Sequence, residues 1–227
     1  MRKDRVQRKW RAGVKKLFVP FIETSNASLV ADFTKGLANL VPQQIAHNPW
    51  PIYTHAVEAS FVIGHNGDTI CLKYTVCEPH IKANANFNEE MHLDSCVELF
   101  IAFDDDKGDY YNLEFNCLGY AKVAYGSGRG SRTLLPVPLI VSISSFAKID
   151  SLFIEGRKRF QWELLLLIPK TVFSHTRLSS LRGKNTKANF YKCGDGLSAP
   201  HFLTWNRIVC PEPDFHRPEF FGSLAFG

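Results

Sequence analysis

Hydrophobic and polar positions alternate along most of this chain, and the clearest alternation runs from Leu93 to Gly119. In its first half Ser95, Val97, Leu99 and Ile101 alternate with Asp94, Cys96, Glu98 and Phe100. In its second half Tyr111, Leu113, Phe115 and Cys117 alternate with Tyr110, Asn112, Glu114 and Asn116. A period of two marks strands with one face buried and one free. The acidic stretch Asp104 to Asp109 between the halves predicts a hairpin, with Glu98, Asn112, Glu114 and Asn116 on its free face.

The same pattern recurs on both sides. Val57 to Gly64 and Thr69 to Val76 flank His65-Asn66-Gly67-Asp68, a turn of the Asn-Gly kind. Tyr120 to Tyr125 continues as a strand into the loop Gly126 to Arg132. Short strands are expected at Leu139 to Ser145 and Phe153 to Glu155, and a long one at Phe160 to Ile168. That last one is apolar on both faces near its end, which predicts a central position. Lys187 to Cys193, His201 to Val209 and the aromatic tail from Phe215 complete the set. Only Ser28 to Leu40 offers a helical turn or two. About ten strands with few or no helices, and no long linker or repeat, predict an all-β chain: a single antiparallel, jelly-roll-like β-sandwich.

Composition agrees with a folded domain. The chain has 227 residues, 45% hydrophobic and 22% charged, long enough to bury a real core. No apolar run approaches the roughly 20 residues that cross a bilayer. The net charge of +5 belongs to one end. Residues 1–16 hold eight Lys or Arg against Asp4, so the other 211 sum to −2. This divides the chain into a basic N-terminal arm, 1–16, and one domain, 17–227. The run from Val14 reads as a natural protein start, which makes residues 1–13 an upstream extension; an intact Met1 by mass spectrometry would overturn that. The body has no basic stripe interleaved with aromatics, which excludes nucleic acid as the main partner. The absence of an apolar export core predicts a cytoplasmic protein with reduced thiols.

Candidate chemistry is sparse. The six cysteines lack C-x-x-C spacing and the eight histidines form no close pair, so neither zinc nor a redox couple is indicated. Asp104, Asp106 and Asp109 could gather oxygens around calcium, but the turn lacks the EF-hand register. The glycine-rich loop ends without the Lys-Ser/Thr of a P-loop; it reads first as a plain loop and next as one carrying Arg129 towards a ligand. Glu98 and Glu114 on neighbouring strands suit a glycosidase pair. The favoured reading is that they serve as acceptors of a non-catalytic sugar site, with Asn112 and Asn116 as amides and Trp50 or Trp205 as stacking platform. Trp50, in His47-Asn48-Pro49-Trp50-Pro51, can equally be an anchor that closes the core.

The segments D-S-C-V-E-L-F-I-A-F (94–103), Y-Y-N-L-E-F-N-C-L-G (110–119), A-N-F-Y-K-C-G-D (188–195), P-H-F-L-T-W-N (200–206) and P-D-F-H-R-P-E-F-F-G (213–222) together resemble carbohydrate-binding module family 9-like domains. Stand-alone, often bacterial, endoxylanase-like proteins are among them. The resemblance spans roughly Trp50 to Phe226. It implies a DOMON-like β-sandwich and a saccharide ligand of the xylan or cellulose type. In the xylanase-linked members two tryptophans clamp a terminal sugar and calcium supports the structure. It also implies export, against the cytoplasmic reading. Two clamp tryptophans do not align onto Trp10, Trp50, Trp162 and Trp205. A partner-binding sandwich without a sugar ligand is the third reading.

Overall fold

A computed structural model of the chain describes residues 13–25, 28–53, 56–103 and 108–227. The arm as far as residue 12, with Trp10, and the calcium candidates Asp104 and Asp106 lie outside the described residues. Lys15 and Lys16 lie within the fold: the Lys15 amide donates to Asn206 Oδ1, and Lys16 opens the first strand.

Two sheets pack face to face. The larger runs β1 (Lys16–Val19), β13 (Gly222–Phe226), β11 (Asn185–Cys193), β5 (Cys96–Ala102), β6 (Tyr110–Asn116), β7 (Ala121–Gly126) and β8 (Arg132–Leu134), with β12 (Phe202–Thr204) paired to β11. The smaller runs β2 (Gln43–Gln44), β3 (Glu58–His65), β4 (Thr69–Glu78), β10 (Arg157–Pro169) and β9 (Ser144–Ile154). Every pairing is antiparallel except β1 with β13. The chain is all-β and forms a sandwich. No helix among the described residues is long and apolar enough to cross a membrane.

The central hairpin takes the expected register, Glu98 opposite Glu114 and Leu99 opposite Leu113. Its odd positions on β5 and the matching ones on β6 enter the space between the sheets. There Phe190 of β11 stacks on Phe61 of β3 at 3.7 Å between ring centroids, and Trp205 meets both rings edge-on. Aromatic burial of this kind supplies much of a sandwich core's stability. Gly119 turns β6 into β7 at φ +88°, a conformation that costs glycine nothing.

One helix of substance forms, α1 (Leu29–Leu37). Ser28 caps it by accepting from the Ala31 amide, and Phe33 and Leu37 bury against Val62, Cys71 and Leu167. Leu139 to Ser145 departs from expectation. Pro136 and Pro138 start a short helix, α2 (Val137–Ile140), because proline is accommodated in a first helical turn. One long strand, β9, then replaces the two short ones. It pairs only with β10, so β10 lies next to the sheet edge and not at its centre.

Candidate functional site

The outer face of the larger sheet is covered, which corrects the reading of Glu98, Asn112, Glu114 and Asn116 as a free face. Each of the four is at least 95% buried. The cover is a second apolar layer: Trp50, Ile208, Phe215 and Phe221 pack onto Phe100, Tyr110, Tyr191 and Phe202. Trp50 Nε1 donates to the Cys210 carbonyl at 3.0 Å, tying residues 47–53 to the strap formed by 207–221. Tyr191 stacks on Phe215 at 4.2 Å, and its hydroxyl donates to the Phe215 carbonyl. The Tyr110 hydroxyl meets His216 Nδ1 at 2.8 Å. Trp50 is therefore the anchor and not an exposed platform.

Strand register aligns one row of polar groups beneath this cover. Tyr191 of β11 faces Glu98 of β5, Glu98 faces Glu114 of β6, and Glu114 faces Lys122 of β7. Beside the strap the row opens into a cleft of about 200 Å³. Glu98 and Glu114, both almost fully buried, line it. The cations Lys122, Arg129 and Arg132 line it together with His92, Asp195, Asp214, Phe202, Phe215 and His216. Arg129, in the glycine-rich stretch 126–131, is among the lining residues.

Electrostatics of the two carboxyls are set by burial. Burial, then the facing Glu114, holds the Glu98 carboxyl well above the usual carboxylate range. Glu114 is also raised by burial, with Lys122 and Arg132 pulling the other way. Two largely buried carboxyls opposite one another favour retaining a proton between them. His216 is pushed down to about 3 by burial and by the positive charge of Arg132, Arg129 and Lys122. It is a neutral partner for Tyr110. Glu114 Oε1 accepts from Asn112 Nδ2 at 2.7 Å, while Glu114 Oε2 and Asn112 Oδ1 are buried without a protein partner. Buried polar atoms of that kind call for a ligand or water.

The other sequence candidates are elsewhere. Trp205 is fully buried between the sheets, so it has no ring face to offer a sugar. Asn116 Nδ2 donates to Asp94 Oδ2 and the Ala85 carbonyl, and its Oδ1 accepts from the Leu118 and Tyr120 amides. It holds the β6–β7 turn and does not line the cleft. Asn112 supports Glu114 from beside the cleft. Asp109 is half-buried, with Asp104 and Asp106 outside the described residues. Sequence reasoning missed His92, Lys122, Arg132, Asp195, Asp214, Phe202, Phe215 and His216. Lys122 was within reach, since its strand adjoins the chosen row and sets it opposite Glu114; Arg132 lies one strand further out, in a stretch that reads as loop. The strap residues carry no periodic signal.

A two-sheet β-sandwich with a small, charged, partly aromatic cleft on the outer face of one sheet defines a binding-module class of architecture. The chain belongs to carbohydrate-binding family 9, whose profile matches residues 32–226. It is similar to a candidate carbohydrate-binding protein from Bacteroides uniformis, with 32% identity over 94% of this chain and all of that one, TM-score 0.84. In fold it is also similar to a family 9 module from Caldicellulosiruptor kristjanssonii. The structure with cellotriose matches at TM-score 0.55, covering 93% of both chains, and the structure with glucose at 0.57, covering 94% of this chain and 96% of that one. Identity is 12% in both. Among curated proteins none matches the chain.

Proposed function

We propose that the cleft binds the terminal ring of an oligosaccharide of the cellulose or xylan class, without catalysis, in polysaccharide breakdown. The observation that carries this reading is the row Glu98–Glu114–Lys122 flanked by Arg129 and Arg132 in a cleft of about 200 Å³. Two carboxyls lie beside the cations Lys122, Arg129 and Arg132 there, so acceptors and donors are both at hand for vicinal hydroxyls that donate and accept in turn. The volume suits one ring better than a chain. Phe202 and Phe215 supply the apolar wall for a pyranose C–H face. Family membership supports the ligand class, as do the cellotriose and glucose complexes of the C. kristjanssonii module.

Thermal unfolding against glucose, xylose, cello- and xylo-oligosaccharides, each with and without calcium, tests this. A ligand specific to the folded state raises the melting temperature by mass action. Titration calorimetry should then show Arg132→Ala and Glu114→Gln weakening binding at least about tenfold, the worth of one charge-assisted hydrogen bond. No rise with any sugar at millimolar concentration would move the assignment to a partner-binding sandwich. Release of reducing ends, lost in Glu98→Gln and Glu114→Gln, would move it to a glycoside hydrolase.

A further inference from the structure

Next to the carboxylate row, strand pairing sets Cys193 of β11 directly opposite Cys96 of β5. The two thiols come from positions 97 residues apart and are in hydrogen-bond contact with each other. Glu98 Oε1 lies 3.2 Å from Cys193 Sγ and 4.0 Å from Cys96 Sγ. All three donor atoms fall within 4.8 Å of one another, and all three residues are buried. Both sulfurs turn towards the same carboxylate oxygen.

A tetrahedral zinc ion has metal–sulfur bonds of about 2.3 Å and metal–oxygen bonds of about 2.0–2.2 Å, so its donors stand roughly 3.5–3.8 Å apart. The sulfur–oxygen separations here bracket that value. The strands that carry these donors are central to the sheet, so the triad is preorganised on rigid backbone. An entry path exists, because Cys193 and Glu98 both line the cleft. Asp195, two residues beyond Cys193, contacts the Cys193 thiol, and its Oδ1 is buried with no hydrogen-bond partner. It lies outside the 4.8 Å cluster of the other three and is the carboxylate that a side-chain rotation would bring in as a fourth donor. Arg132 offsets part of the negative charge of the donor set.

We propose that Cys96, Cys193 and Glu98, with Asp195 as the fourth donor, form a binding site for a thiophilic divalent cation of the zinc class at the base of the cleft. Sulfur donors select zinc-like ions over calcium and magnesium, which take oxygen. As each metal–sulfur bond forms, the thiol proton leaves to solvent and no electrons are exchanged. The site does not depend on the saccharide reading. One Glu98 oxygen serves the metal and leaves the other for the cleft. The sequence alone offered no sign of it, since its cysteines come together only through the pairing of β5 with β11.

The test uses the full chain, reduced and freed of metal, titrated with zinc and, as a spectroscopic probe, cobalt. One equivalent of zinc should be retained after desalting and should raise the melting temperature. Cobalt should give a thiolate-to-metal charge-transfer band and the intense visible bands of four-coordinate geometry. Cys96→Ser and Cys193→Ser should each remove the charge-transfer intensity of one sulfur, and the double variant all of it. Glu98→Gln, which keeps the shape of the site, should weaken zinc binding at least about tenfold. Cys77→Ala and Cys210→Ala, at the two half-buried thiols elsewhere, should change nothing. A charge-transfer band that survives in the Cys96→Ser/Cys193→Ser protein, or no such band in the reduced parent chain, would overturn the assignment. Unfolding curves of each variant confirm that losses come from the site.

Discussion

Lys192 points from β11 into the space between the sheets, where its ammonium lies 3.0 Å from Glu78 Oε2 and 2.9 Å from His201 Nε2. Glu78 in turn accepts from Trp162 Nε1 at 2.7 Å, and both charged side chains are fully buried. Removing one member strands the other without water, which costs about 3–5 kcal/mol, whereas an apolar replacement of the pair is often close to neutral. Lys192→Met should therefore lower unfolding free energy by about that amount, and Lys192→Met with Glu78→Gln should recover a large part of it in denaturant titrations. His216 acts through a proton. Folding holds it near 3 against an ordinary value of about 6.5, with Tyr110 as its hydrogen-bond partner and Arg129, Arg132 and Lys122 as the cations around it. Between those values the unfolded chain binds a proton that the folded chain refuses. Stability should fall as pH drops from about 6.5 towards 3, by up to about 1.4 kcal/mol per pH unit from this group. His216→Gln should flatten that part of the pH–stability curve. Neither residue was legible in the sequence: a lysine within an alternating strand looks the same whether its face meets water or a second layer, and His216 lies in a strap with no periodicity to read.

At the scale of elements, the strands were legible and their cover was not. β3 to β7 fall where period-two alternation and the Asn-Gly turn place them, because that period is a direct consequence of strand geometry. The reading of one face as free failed because residues 47–53 and 207–221 form a layer with no periodicity to announce it. A partial signal existed. Cys96, Phe100, Tyr110 and Tyr191 share a face with Glu98 and Glu114, and so many apolar groups do not belong on a solvated surface. The same cover reassigns two tryptophans. Trp50→Ala should cost about 3–5 kcal/mol by opening a cavity under the strap, and should weaken any cleft ligand, because the strap carries Phe215 and His216. Trp205→Ala should unfold the domain and not spare it, since the ring fills the inter-sheet core. Circular dichroism and thermal unfolding distinguish these outcomes from loss of a surface contact. Asn116→Ala belongs with them: it removes bonds to Asp94, Ala85 and the β6–β7 turn.

For the whole molecule, the exposed edges of the two sheets are treated unequally. β1, β2 and β8, three of the edge strands, are four, two and three residues long, short enough to offer little to an incoming strand. The fourth, β9, has eleven residues. It exposes Phe146, Ile149, Leu152, Phe153 and Ile154, with Phe153 78% accessible, and only Lys148 and Asp150 interrupt them with charge, largely spent on each other at 2.9 Å. A long apolar edge with unpaired backbone donors and acceptors is a template for pairing with another chain. The sequence hinted at this without showing it. Ser144 to Ile154 lacks alternation because neither of its faces is fully buried, and for the same reason residues 146–152 carry no strand signal between the expected strands at Leu139 to Ser145 and Phe153 to Glu155. Phe153→Lys should leave the melting temperature nearly unchanged, as the side chain has little packing to lose. It should also reduce concentration-dependent association, measured by light scattering over a dilution series. Equal scattering from the parent and the lysine variant would show that β9 is no association edge, and that twist or its own side chains already protect it.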